Sequence, residues 1–371
     1  MEIASGLPLG TRGAPTFDGA STDAASALRT AVRDAVHHPP CLVSFSGGQD
    51  SSLVLAAAVQ VARRDGVADP IPATWRVADA PAAHESDWQD AVVRELGLGD
   101  WLRLDGGDDL DLLGPVARSV LSRHGARYPA NVHMHDPLLE RARGGSLLTG
   151  IGGDQIFGAW RWAAVADVLA GRVRRTPRRL LAIARSRAPV PVRAALEPRR
   201  NPPEPRDWLT PKTAQTLSAR LAEEIASEPP RWDRRVGWQA GRRHLALGLE
   251  SLDLLAADHD VRIGHPLVAP GVVAAVARAG GRDGFASRRQ ALATLFPGLT
   301  PDALRERTTK AHFHEVFHRG PSRRAIAAWR GDGVDPTVVD VPALQAIWRD
   351  RMPAGTALLL QHLFVRGALG G

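Results

Sequence analysis

Two short stretches of the chain carry residue types able to handle a phosphate and a metal. The first is Ser46-Gly47-Gly48-Gln49-Asp50-Ser51. Two consecutive glycines let the backbone turn sharply and aim amide N–H groups at an anion, and a helix starting behind them adds its positive end. The hydroxyls of Ser46 and Ser51 can donate to phosphate oxygens. Asp50 would repel a phosphate unless it holds a cation, and a hard oxygen donor there suits Mg²⁺. No lysine stands beside the helix start, so the loop is not a Walker A motif. Taken alone, a Gly-Gly pair between strand and helix also makes an ordinary structural turn. Further along, Leu147-Leu148-Thr149-Gly150-Ile151-Gly152-Gly153-Asp154 repeats the order of apolar run, glycines and carboxylate. In a parallel sheet, ligands gather beyond the carboxyl ends of the strands, so the two loops can face one crevice. Asp50 and Asp154 would then flank a single metal–phosphate unit.

The elements that must position these residues can be read around them. Cys41-Leu42-Val43-Ser44-Phe45 is an apolar run entering the first loop, and Ser52 to Arg64 reads as the helix leaving it, stopped by Gly66. Ahead of them, Leu28, Val32 and Val36 recur every fourth position between Ala24 and His37, an amphipathic helix ended by Pro39-Pro40. A second strand is expected at Ala73 to Val77, a helix at Ser86 to Leu96 and a third strand at Ser146 to Thr149. Strands alternating with helices imply an α/β fold with a parallel sheet.

The expected organisation is an arm and lead-in helix over 1–40, a nucleotide-binding domain over 41–170, a connector over 171–235 and a helical lobe over 236–371. The connector reading rests on Gly171 to Asp207, with ten arginines between Arg172 and Arg200 and repeated prolines. The last lobe rests on helical patterns at Trp238 to Ala257, Gly271 to Ala279, Arg288 to Leu295, Ala325 to Trp329 and Val341 to Leu369, with few convincing strands.

Composition narrows the function classes. The chain has 371 residues, a net charge of +7 and a pI near 10.8. Basic charge of this size invites a nucleic-acid partner. Yet Lys212 and Lys310 are the only lysines among 47 basic residues, which reads as compositional bias spread over a solvated surface, so nucleic acid is not the expected partner. No apolar run approaches the roughly 18 to 20 residues that cross a bilayer, and the first residues carry no basic leader, so a cytoplasmic protein without a membrane span is expected. A single cysteine, Cys41, excludes an internal disulfide and reads as a small buried apolar side chain.

Ser46-Gly47-Gly48-x-Asp50-Ser51 resembles the loop of the ATP pyrophosphatases (the PP-loop), and Gly150-x-Gly152-Gly153-Asp154-x-x-Phe157-Gly158 resembles the asparagine synthetase branch of that group. The likeness runs from about Ala25 to Phe317. It takes in His84-Glu85 and, more loosely, His265-Pro266-Leu267 and Arg307-x-x-Lys310-x-x-Phe313. The resemblance implies a Rossmann-like adenine nucleotide α-hydrolase sheet with a mainly helical C-terminal domain. It also implies ATP and Mg²⁺ as cofactors, and an AMP-forming carbon–nitrogen ligase. In such enzymes a carboxylate attacks the α-phosphate, and ammonia or an amine then displaces AMP to leave an amide. By position, Ser46, Gly47, Gly48 and Ser51 would bind pyrophosphate, Asp50 and Asp154 would hold Mg²⁺, and Ser44, Trp75, Thr149 and Gly150 would contact the adenosine. Lys310 matches a catalytic lysine that stabilises developing negative charge. A lysine retained in a chain that writes nearly every base as arginine supports such a role separately.

The sequence also departs from the family. No glutaminase domain precedes the loop and no cysteine follows Met1, so the amine is expected as free ammonia, a group on the substrate, or ammonia from a separate partner. Ile151 stands where asparagine synthetases carry glutamate and β-lactam synthetases a tyrosine. Gln155 replaces the usual glutamate, and Ala269 an aspartate. The carboxylate is therefore left open, as a small molecule or a peptide. A lasso-type macrolactam synthetase acting on a precursor peptide, a tRNA-modifying PP-loop ligase and a non-catalytic ATP-binding subunit remain alternatives. His133-Met134-His135-Asp136 and His312-Phe313-His314 have spacings that could reach a metal, but cysteine partners for zinc are missing. His133 and His135 are the better substrate-site candidates. Trp160 and Trp162 either line the pocket or pack the core.

Overall fold

The computed structural model describes residues 1–13, 23–77, 86–200, 206–301 and 314–369. Five parallel strands form one sheet in the order β3-β2-β1-β4-β5. They are β1 (Cys41–Ser44), β2 (Ile71–Arg76), β3 (Leu102–Asp105), β4 (Ser146–Thr149) and β5 (Arg262–Gly264). The chain runs from β1 outward to β2 and β3, then returns to lay β4 on the other side of β1. The order therefore reverses between β1 and β4, where Ser44 pairs with Thr149. A reversal of this kind opens a crevice beyond the carboxyl ends of the two strands.

The central strands β1 and β4 are buried on both faces, which is why they read as near-continuous apolar runs. Successive side chains alternate between two cores. Cys41, Val43 and Leu148 join a large cluster with the helices Ala24–Val36, Gln49–Asp65 and Pro270–Gly280. Leu42, Ala73 and Leu147 join a second with Leu138, Leu139, Leu252 and Leu255. Each fully buried Val or Leu side chain contributes about 1.5–3 kcal/mol relative to exposure.

Local chemistry sets the helix ends. Asp23 caps the Ala24–Val36 helix, its carboxylate accepting from the Ser26 amide at 2.8 Å, and that bond holds the Asp23 carboxyl below its ordinary value. The helix expected from Ser52 begins three residues earlier, because Gly48 is its N-cap and Asp50 lies in its first turn. Gly66 ends it in the left-handed conformation.

The 171–235 segment holds the helices Pro177–Ser186, Val190–Arg200 and Pro211–Ser227. Pro177 and Pro211 sit in first turns, where a missing N–H costs nothing. The pattern expected over Trp238 to Ala257 is two helices, Trp232–Ala240 and Arg243–Asp258, broken at Gly241-Arg242. Towards the C-terminus, Trp329, Leu344, Trp348, Leu360 and Leu363 build a third cluster, which also takes in Ala4 and Trp208. The arm expected over 1–40 is tied down at its start: the Trp208 indole donates to the Ala4 carbonyl at 2.8 Å, and Thr11 bridges to Arg242.

Candidate active site

The first loop closes on itself. Gly47 adopts φ 80°, a conformation that favours glycine, and lets the chain turn back toward the helix start. The Ser51 hydroxyl accepts from the Ser46 amide at 3.2 Å and lies 3.1 Å from the Ser46 hydroxyl, which accepts from the Gly48 amide at 3.2 Å. Ser46, Gly48 and Ser51 are thus wrapped around the N-terminus of the Gln49–Asp65 helix. Glycine at the N-cap brings no side-chain acceptor to its first N–H groups, which suits an anion. A residue the sequence reading passed over steadies the entrance. Buried Gln89 donates from its side-chain amide to the Ser46 carbonyl at 3.1 Å.

The second loop lies directly against the first. A Cβ on Gly150 would stand 2.7 Å from the Ser51 amide nitrogen, and one on Gly152, at φ 96°, 2.1 Å from Val268 Cγ1. The loop leads into the short helix Gly153–Phe157, which carries Asp154 in its first turn. Arg235 holds the far end of that helix. Its guanidinium donates to the Ile156 carbonyl at 2.8 Å, the Gly158 carbonyl at 3.1 Å and the Glu228 carboxylate at 3.0 Å, satisfying carbonyls that a helix end leaves open. Burial raises the Glu228 carboxyl despite the nearby Arg235.

Asp50 and Asp154 meet across the crevice through a third side chain. Arg288 donates to Asp50 Oδ1 at 2.5 Å and to Asp154 Oδ1 at 2.7 Å. It is the first residue of the helix Arg288–Leu295, whose start is fixed from both sides. The Ser287 hydroxyl accepts from the Gln290 amide, and the Gln290 side chain accepts from the Ala286 amide. Burial alone would lower the Arg288 guanidinium, but the two carboxylates outweigh it and hold it above its ordinary value. Nothing in the sequence separates Arg288 from the many other arginines.

These residues fit the divalent cation that the loop chemistry implies. Two carboxylates already share one positive group, and Mg²⁺ is commonly held by one or two carboxylates completed by substrate phosphates. Among the described residues no group of three or more His, Cys, Asp or Glu side chains could hold a metal by itself.

The remaining candidates divide. Ser44 and Thr149 are register partners at the reversal point, with Gly150 next in the chain. Thr149 is also tied to β5, its hydroxyl 2.7 Å from His265 Nδ1. Burial, helped by neighbouring His135, pushes His265 down to about 4. Trp75 lies at the carboxyl end of β2, and its indole N–H donates to the Met134 carbonyl at 2.9 Å. His133 is buried with its ring nitrogens against the Leu110 and Ala130 carbonyls, so it serves the fold. Trp162 is core, donating to the Glu228 carbonyl at 3.1 Å. Trp160 does both expected jobs. It is buried, and with Trp232 and Phe285 it walls a cavity of about 520 Å³ that reaches Asp154 and Arg288. Ile151 packs against the apolar cluster of Leu42 and Leu147. Lys310 lies outside the described residues, as do His84, Glu85, Arg307, His312 and Phe313.

No curated protein matches the chain at a significant level. The asparagine synthase family profile matches residues 23–361, spanning both loops, all five strands and the helix that carries Arg288. With its two glycine loops meeting at the strand-order reversal of a parallel sheet, the chain belongs to the asparagine synthase family, in its synthetase part, whose members are ATP-using ligases that form amide bonds.

Proposed function

We propose that the protein adenylates a carboxylate with ATP and Mg²⁺, releasing pyrophosphate, and passes the acyl group to ammonia or an amine with loss of AMP. The observation that carries this reading is the meeting of Asp50 and Asp154 across one crevice, where the Arg288 guanidinium reaches both. The metal, when bound there, would shield the polyphosphate charge. Ser46, Gly48 and Ser51 would cradle the pyrophosphate through backbone and hydroxyl donors aimed at the helix start. Ser44, Thr149 and Gly150, at the carboxyl ends of β1 and β4, would face the nucleoside, and Lys310 would meet charge developing on phosphate.

The nature of Ile151 favours a second reading. It is packed among apolar side chains and can neither accept nor donate a proton, so the amine must be deprotonated by another group, or the protein binds ATP without turnover. Pyrophosphate release decides between them. It would be measured with ATP, Mg²⁺, pooled amino acids, ammonium and candidate peptides, for wild type, Asp50→Ala and Lys310→Ala. Release by wild type that both variants lose supports the synthetase. Tight ATP binding with no release under any substrate sinks it in favour of a regulatory subunit.

A further inference from the structure

We propose that the outer face of the Pro177–Ser186 helix, with the start of the Val190–Arg200 helix that follows, is a docking surface for an anionic lipid bilayer. The composition of the stretch is one-sided: from Gly171 to Leu196 there are eight arginines and no aspartate or glutamate. Two stripes run along opposite sides of the first helix. Ala182, Ile183 and Ser186 face inward, the first two packed against the large core cluster. Pro177, Leu180, Leu181 and Ala184 have the i, i+3, i+4, i+7 spacing of a single face, and all four are exposed. Leu180 is 50% exposed and Leu181 61%, and at the start of the next helix Val190 is 38% and Val192 49% exposed. A helix that is apolar on both sides is ordinarily buried on both, so the outer stripe lacks a cover.

Both helices are anchored from within, which presents the leucines on a fixed backbone. The Thr176 hydroxyl accepts from the Arg179 amide at 3.4 Å, and the Arg179 guanidinium donates to the Arg174 carbonyl at 2.8 Å. On the following helix, buried Arg193 donates to the Glu228 carbonyl at 3.3 Å. Around the outer stripe, Arg174, Arg175, Arg178 and Arg187 are exposed and make no ion pair among the described residues. Other surface arginines do, as Arg63 with Asp69 and Arg231 with Asp233.

Cations without counter-charges call for an anionic partner, and outward leucines call for an apolar one. A bilayer interface supplies both together. Headgroup phosphates meet the guanidinium groups, the acyl boundary takes the leucines, and the arginine stems lie along the apolar surface between them. Shape favours a bilayer over an acidic polypeptide. The leucines stand on the convex outside of a helix, which can sink into a fluid interface but gives a peptide no groove. Attachment of this kind needs no membrane span.

The test is cosedimentation of the full chain with vesicles of equal parts phosphatidylglycerol and phosphatidylcholine, compared with vesicles of phosphatidylcholine alone. Binding should be confined to the anionic vesicles and should weaken as salt is added. The double variant Leu180→Ser, Leu181→Ser should weaken it about tenfold or more, because both side chains lose their insertion. The quadruple variant Arg174→Gln, Arg175→Gln, Arg178→Gln, Arg187→Gln should weaken it about a hundredfold. All six side chains point outward, so Tm should stay at the wild-type value. A charge-matched control removes four exposed arginines elsewhere, Arg323, Arg324, Arg330 and Arg349, each to Gln, and should keep the wild-type affinity to within a few-fold. Equal losses from the two quadruple variants would mean non-specific adsorption of a basic protein and overturn the proposal. So would absence of binding to the anionic vesicles. A loss that follows the arginines but not the leucines, with equal binding to soluble polyglutamate, would assign the surface to an acidic polypeptide and overturn it too. The measurement uses no nucleotide, so it is independent of the ATP reading.

Discussion

Gly153 lies against the Asp50 carboxyl group, so close that a Cβ on it would stand 2.1 Å from Asp50 Cγ. The second loop therefore has no side chain at that point because the first loop's carboxylate occupies the space. Gly153 opens a helix in an ordinary backbone conformation, so alanine there conflicts with Asp50 rather than with φ. Gly153→Ala should lose about 100-fold or more of its pyrophosphate release, the scale of removing one electrostatic group from an active site, with little change in Tm. Wild-type kcat/KM in this variant would show that Asp50 need not hold its place.

Arg235 and Glu228 form a buried pair beneath the helix that carries Asp154. Arg235→Ala should lower stability by about 3–5 kcal/mol in urea unfolding, because it strands a carboxylate and the Ile156 and Gly158 carbonyls at once. Adding Glu228→Gln should restore part of the loss. Equal stability of single and double variants would mean that the carbonyls, not the carboxylate, set the cost.

Gln89 fixes the carbonyl of Ser46, whose hydroxyl is a candidate phosphate donor. Gln89→Ala should cost about 1 kcal/mol of stability, the ordinary worth of one hydrogen bond. It should weaken ATP binding several-fold, since the first loop would lose its brace. A calorimetric titration with unchanged Kd would remove Gln89 from the site.

Acid should destabilise the protein below neutrality. Burial holds His135, His244 and His265 down near 4, so the folded chain keeps them neutral where the unfolded chain takes up protons. Stability is then full above pH 6.5 and falls as pH drops toward 4, by about 1.4 kcal/mol per pH unit for each such histidine. Thermal melts across this window should show the slope, and His244→Gln, away from the loops, should flatten part of it, the other lowered histidines keeping the rest. A flat profile would mean that these rings are protonated in the fold.

The chemistry of the site was legible where it depends on local pattern. Both loops, the strands that feed them and the meeting of Asp50 with Asp154 follow from residue order and from the rule that ligands collect at a reversal of strand order. Elements whose signal is weak escaped. β3 is an edge strand with alternating charge, Leu102-Arg103-Leu104-Asp105, and β5 has three residues, too few for periodicity to register. Arg288 escaped for a different reason. Its helix and the Ser287-x-x-Gln290 start signal are visible in the sequence, but the docking of that helix against the loops is a tertiary fact. Trp162 and His133 show the converse, polar-tipped residues near the motifs that the fold spends on internal hydrogen bonds.

The face of the sheet carrying Val43 and Leu148 is closed partly by the Pro270–Gly280 helix, which packs across the Ala24–Val36 helix. During synthesis at about 5–20 residues per second, β1 and its helix therefore wait on the order of ten seconds or more for the segment that covers them. A nascent chain in that interval exposes an apolar surface and an unpaired β4 edge, the features that recruit chaperones and promote aggregation. Emergence of the Pro270–Gly280 helix, rather than completion of the nucleotide loops, is the event after which this face of the sheet can be covered.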